Sequence, residues 1–278
     1  MKRIFRNVSS VLLLLIMLAD SAHISAASPE ACTTESHDNA TVRVNVIETG
    51  QVIADQKKLN DRLNEIELLW EPVSAKTAAE HVVAIKREVA KYPTKIWHGL
   101  LDTIFVFGDL KYRDRSVDGS YGAGFIIVSI ASKSHANIAR AVHHELSSIL
   151  LGRYRSFFQE AEFLKCNPEG FSYNSELRSA TDTDPTLDER WVSSGFVGSY
   201  GTTDIENDFN LISEQLFIPD SQFWRAYKTH QRFRKKVGII IAFYHKISPR
   251  FSISFFQKQP RIQSGIDPMM YVQPESLR

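Results

Sequence analysis

The 278-residue sequence predicts an α+β fold: a small sheet with an edge strand over a His-Glu helix, then a mostly helical C-terminal half. Three observations carry this. Two short apolar runs, Thr103 to Phe107 and Phe125 to Ile130, are rich in β-branched and aromatic residues and too short for good helices, so they read as strands. Thr41 to Ile47 alternates Val42, Val44 and Val46 with polar residues, the period of a half-buried strand. From Ser134 onward, apolar residues recur at helical spacing in most segments.

Composition narrows the class. Lys plus Arg number 33 and Asp plus Glu 32, a formal charge of +1, so bulk electrostatics gives nucleic-acid binding no support. With 43% hydrophobic and 23% charged residues, the chain has the make-up of a globular protein with a real core. No internal repeat or low-complexity tract breaks it.

The first 27 residues stand apart. Lys2, Arg3 and Arg6 precede the apolar run Val11 to Leu18, and Ser25-Ala26-Ala27 follows, the layout of a secretory signal peptide. The run is shorter than the ~20 residues that span a bilayer, which disfavours an uncleaved anchor. The expected location is therefore exported, periplasmic or extracellular. Residues 28–40 are small and polar and read as a flexible lead-in, leaving 41–278 as a single domain. Both cysteines, Cys32 and Cys166, follow the signal, and in an oxidising compartment one bridge between them and two unpaired thiols are both open. Asn39-Ala40-Thr41 is a glycosylation acceptor where the source modifies such sites.

The elements follow in order. Leu59, Leu63, Ile66 and Leu69-Trp70 predict a helix from Ala54 to Trp70, stopped by Pro72. A second helix is expected from about Ala75 to Tyr92, broken by Pro93. Between the two apolar strands, Gly108 to Gly124 reads as a long loop or a twisted hairpin connection. Ser134 to Leu151 is a helix with Ile138, Val142, Leu146, Ile149 and Leu150 on one face. Turn signals dominate from Cys166 to Ser199. Asp204 caps a helix reaching about Phe217, and helical stretches follow over about Ser221 to Thr229 and Gln231 to Ile247. The chain after Pro249 has no clear assignment.

The helix from Ser134 carries His143-His144-Glu145. At about 100° per residue, His144 falls about 200° and Ser148 about 240° from Val142, so one face packs inward and the other lines a cleft. A helical His-Glu pair, a second His one turn on and a distant acid is the layout of a zinc hydrolase: neutral imidazoles hold the metal, and the adjacent Glu takes a proton from bound water. Here the run is His144-Glu145-Leu146-Ser147-Ser148, with serine at the second ligand position. His143 points about 100° away from His144 and does not substitute.

Downstream, Ser199-Tyr200-Gly201-Thr202-Thr203-Asp204-Ile205-Glu206-Asn207-Asp208-Phe209, running on to Glu214-Gln215-Leu216-Phe217, resembles the region supplying the third ligand in the lethal-factor-like branch of the gluzincin metallopeptidases. Element order over roughly residues 75 to 247 is similar as well. The resemblance implies zinc as cofactor, a peptide or protein as substrate, His144 as first ligand, Glu145 as general base and Tyr200 as the tyrosine near the reacting oxyanion. The distant carboxylate falls on Glu206 or Asp208; Glu206, Asn210 and Glu214 share a helical face, which favours Glu206. Ser148 departs from the family pattern, as a weak ligand or one acting through water. Two functions follow: an exported zinc metallopeptidase hydrolysing peptide bonds, or a catalytically inactive protein of that fold binding a peptide or protein in the same groove.

The basic run Arg225, Lys228, His230, Arg232, Arg234, Lys235, Lys236, interleaved with Phe223, Trp224, Tyr227 and Phe233, reads as two helices with solvated charges and buried aromatics. A weak membrane or acidic-surface contact is its only functional reading. Gly122-Ala123-Gly124 lacks the following helix that a nucleotide loop needs.

Overall fold

The computed structural model describes residues 42–48, 57–112, 115–131, 134–176 and 187–261. The expected signal peptide and lead-in, with Cys32 and Asn39, lie outside the described residues. Cys166 is a buried free thiol. Among the described residues, no helix is long and apolar enough to cross a membrane.

The fold is α+β. Strand β1 (Arg43–Val46) pairs in parallel with β3 (Leu101–Phe107), and β3 in parallel with β7 (Gly124–Ser129). Strand β6 (Gly119–Gly122) runs antiparallel to β7 and forms the outer edge of this four-stranded sheet. Both faces of the central strands are covered, which is why they read as unbroken apolar runs. Ile104, Val106, Ile126 and Val128 enter the main core, while Phe105, Phe107, Phe125 and Ile127 enter a second cluster with Leu59 and Leu63.

Those two leucines come from helix α1 (Lys57–Glu65). The helix was expected to run on to Trp70, but it stops at Glu65. Glu67 adopts the left-handed conformation (φ 51°), Glu67 N–H bonds Asn64 C=O at 3.1 Å, and Leu68 N–H bonds Leu63 C=O at 2.8 Å. This is a Schellman ending, with Leu63 and Leu68 in one apolar cluster. Leu69 and Trp70 therefore belong to strand β2 (Leu69–Glu71), antiparallel to β4 (Asp109–Tyr112).

The segment from Gly108 to Gly124 forms hairpins. β5 (Arg115–Ser116) completes the small β2-β4-β5 sheet, and β6 turns into β7 through Gly124 at φ 88°. Helix α2 (Ala75–Val89) starts at Ser74, whose side chain accepts from Thr77 N–H at 3.1 Å. Helix α3 (His135–Arg153), capped by Ser134, lies in the middle of the molecule and packs on β6, β7 and α2. Helix α4 (Glu160–Leu164) precedes the turn-rich stretch, which contains α5 (Glu189–Val192). Asp204 caps α6 (Ile205–Phe217) as expected, accepting from Asn207 N–H at 2.7 Å. Helix α6 is buried from Asn207 to its end, and its main neighbour is α3.

Helices α7 (Phe223–Thr229), α8 (Gln231–Ile247) and α9 (Ile253–Gln257) close the structure, with Ser252 capping the last. The basic run is solvated as expected at most positions, with one exception. Lys236 is fully buried, with Nζ 2.5 Å from Asp208 Oδ2 and 3.7 Å from the Phe196 ring centroid.

Candidate functional site

Three successive side chains of α3 leave it in three directions, as a 100° step requires. His143 turns toward α2 and is fully buried. Tyr92 O–H donates to its Nδ1 at 2.8 Å, and its Nε2–H donates to Glu88 at 3.0 Å. The ring stacks on Phe217 at 4.4 Å. Burial holds the imidazole neutral, with its pKa lowered to about 4. Burial alone would raise Glu88, but His143 and Lys91 together bring it down to about 2. This network ties α2 to α3 and does not face the cleft.

His144 turns toward α6. Its Nδ1 lies 2.5 Å from Glu214 Oε1, and its ring is 6.2 Å from that of Tyr200. Burial opposes charge on this imidazole. The bond and charge of Glu214, with Glu145 and Glu206 nearby, outweigh it and push the pKa up to about 9. His144 is therefore an imidazolium that donates to Glu214.

Glu145 turns toward β6. Its Oε1 sits 3.0 Å from the position a Cβ on Gly119 would take, so the missing side chain on the strand makes room for the carboxylate. It is only 7% exposed and makes no hydrogen bond among the described residues. Burial, reinforced by Glu206, Glu214 and Asp118 and opposed by His144, pushes it up to about 7.

The remaining sequence-predicted residues divide. Glu206 lies close enough to act on His144 and accepts from Tyr121 O–H at 3.0 Å, a bond spanning from β6 to the start of α6. Tyr200 stands beside His144 on the 3-10 turn Ser199–Thr202. Asp208, two residues past Glu206, points away from His144 into a separate buried pocket, where Lys236 and Tyr173 O–H (2.7 Å) share its Oδ2. Of the two candidate acids, Asp208 is therefore the one that does not meet His144. Ser148 is buried between α3 and α6, where its Oγ accepts from Asn210 Nδ2 at 2.8 Å, and Ser147 donates to Asn210 Oδ1 at 2.7 Å.

Zinc fits this arrangement poorly. One turn along α3 from His144 stands Ser148, and one turn back along α6 from Glu214 stands Asn210. Both are neutral, both are buried, and their polar atoms serve each other. Catalytic zinc sites use three His, Asp, Glu or Cys ligands. Among the described residues, no three such side chains stand close enough together to hold a metal.

No protein-family model, curated protein or solved structure matches the chain.

Sequence reasoning had placed Glu206, Asn210 and Glu214 on one helical face, but the carboxylate that meets His144 is Glu214, the one furthest along it. Tyr121 and Gly119 were missed. Their roles depend on how β6 pairs with β7, which no local pattern encodes.

Proposed function

We propose that this is an exported protein of metallopeptidase-like build that binds a peptide or protein strand in the cleft between β6, α3 and α6, without zinc. One observation carries the reading. The hydrogen bond from Asn210 to Ser148 satisfies two neutral side chains where a metal site would need two ligands.

The sheet edge supports a strand-like partner. Ser129 N–H bonds Asp118 C=O at 2.9 Å, which sets the phase of the β6–β7 hairpin. By alternation, Ser120 and Gly122 bond to β7, while the N–H and C=O groups of Gly119 and Tyr121 point to the outer edge. Among the described residues, no strand pairs there. An extended chain adding at this edge gains main-chain bonds and lays its side chains over Glu145 and Glu206.

The zinc-dependent hydrolase is the second reading. The His144–Glu214 pair favours it, because a carboxylate behind an imidazole is how ligating histidines are oriented.

The test uses mature protein equilibrated with zinc, then dialysed, with metal content measured and an extended-peptide library screened by fluorescence anisotropy. The expected result is zinc far below one equivalent, peptides bound and recovered uncut, and binding lost in Tyr121→Pro but kept in Tyr121→Phe. One equivalent of zinc with peptide cleavage supports the hydrolase instead.

A further inference from the structure

We infer that the strand taken by this cleft carries a lysine or arginine side chain, seated between Glu145 and Glu206 with the rings of Tyr121 and Tyr200 beside it. This rests on the peptide-binding reading and names what the cleft selects.

The first observation is a charge imbalance. Glu145, Glu206, Glu214 and Asp118 lie close enough to act on one another or on His144. Among the described residues, the cations in reach bond or act chiefly on Glu214 and Glu65, and none pairs with Glu145 or Glu206. His144 donates to Glu214. Arg140, 4% exposed, also acts on Glu214 and lies 3.4 Å from Ile218 C=O. Arg62, which acts on Tyr121, is paired with Glu65 at 3.1 Å. Glu206 accepts only a neutral phenol among its described bonds.

The second observation is independent of the first. Glu145 is a carboxylate more than nine-tenths buried that accepts no hydrogen bond among the described residues. Among the described residues its oxygens are not sealed, unsatisfied atoms of the interior, so they stay open to a donor from outside. It lies under Gly119, at the strand position whose own backbone groups face outward. A donor arriving with a strand on that edge reaches this carboxylate first.

The chemistry of the walls narrows the donor. Gly119 and Tyr121 alternate onto the α3 side of β6, so the phenol ring and the glycine gap lie one strand step apart. Tyr200 lines the other side, next to His144. Two carboxylates with aromatic faces nearby match an ammonium or guanidinium on a long aliphatic stem. Acidic and phosphorylated peptides are disfavoured, since their charge adds to four carboxylates already present.

The test measures anisotropy of labelled nine-residue Val-Thr peptides whose central residue is Arg, Lys, citrulline, norleucine or Glu. Arg and Lys peptides are expected to bind at least about tenfold tighter than citrulline and norleucine, a difference of about 1.4 kcal/mol. The Glu peptide should bind weakest, and added salt should narrow the gaps. Glu206→Gln and Glu145→Gln, near-isosteric and checked for folding by near-UV circular dichroism, should each reduce the Arg-to-citrulline ratio. Equal binding of all five peptides overturns the inference and leaves the strand-binding cleft standing. So does a preference that survives both substitutions, which places the cation elsewhere. Failure of every extended peptide to bind overturns both.

Discussion

Replacing Lys236 by methionine keeps the stem of the side chain and removes the charge facing Asp208. Lys236 is fully buried and Asp208 is 1% exposed, with 2.5 Å between Nζ and Oδ2. Nζ also sits 3.7 Å from the centroid of Phe196 and 4.9 Å from that of Phe163, so the ammonium is enclosed by aromatic faces and one carboxylate. Burial already pushes Asp208 up to about 6, against the opposing pull of Lys236 and Tyr173. Without the lysine, the acid takes a proton rather than staying charged. Protonating a carboxyl of ordinary pKa at pH 7 costs about 4 kcal/mol, which caps the electrostatic loss. Breaking a buried pair by deleting one partner typically costs about 3–5 kcal/mol, so the two routes agree. Lys236→Met should therefore lose about 3–4 kcal/mol at pH 7, a fall in Tm of roughly 6–16 °C. At pH 5, below the value near 6 that Asp208 has in the intact pair, the acid is already mostly protonated in the parent, and the loss should largely vanish. Urea unfolding at both pH values reads this directly. The double variant Asp208→Asn, Lys236→Met should recover most of the stability, because a neutral replacement of both partners is close to balanced. A Lys236→Met protein within 1 kcal/mol of the parent at pH 7, or a loss unchanged at pH 5, refutes the reasoning.

Other outcomes follow from the same coordinates. Glu88, held near 2, contributes stability above its ordinary 4.5 that disappears as pH falls toward 2, and His143, held neutral to about 4, contributes stability above 6.5 that disappears through 4. Between pH 7 and 4.5 the raised carboxyls of Glu145 and Asp208 offset the His143 loss, so the fall in urea midpoint should come below about pH 4.5, with about 3 kcal/mol carried by Glu88, and Glu88→Gln should flatten that limb. An unchanged slope in that variant counts against the network. Glu67→Gly should stabilise the protein by about 1 kcal/mol, since glycine takes the left-handed position without strain; a loss on chemical denaturation contradicts the Schellman ending. Ser148→His combined with Asn210→Glu should create zinc affinity in competition with a chromophoric chelator, and His144→Ala in that background should abolish it. Equal zinc uptake by the parent contradicts the account of Ser148 and Asn210.

The sequence disclosed most where structure is local. The Asp204 cap, the start of α2 at Ala75 and the apolar stripe of α3 depend on neighbours a few residues apart, and each stands where the pattern placed it, whereas α2 ends at Val89, short of the expected Tyr92. The end of α1 did not show itself, because a glutamate occupies the left-handed position where glycine is the usual signal. Glu206, Asn210 and Glu214 were visible as one face of α6. Which of them stands level with His144 depends on how far α6 slides along α3, and that is set by packing across 70 residues of chain. Lys236 looked like one more solvated charge in a basic run. Only the approach of Phe163, Phe196 and Asp208 from other segments encloses it.

The three-way divergence of His143, His144 and Glu145 makes α3 sensitive to length rather than to composition. Deleting a single residue between Ser134 and Val142 rotates everything beyond by about a third of a turn, carrying the imidazole that meets Glu214 toward the slot now held by its neighbour. Point changes along this rod are absorbed one at a time. An insertion or deletion transposes all three assignments together, so natural variants of this protein should differ in the letters of the segment while keeping their count fixed.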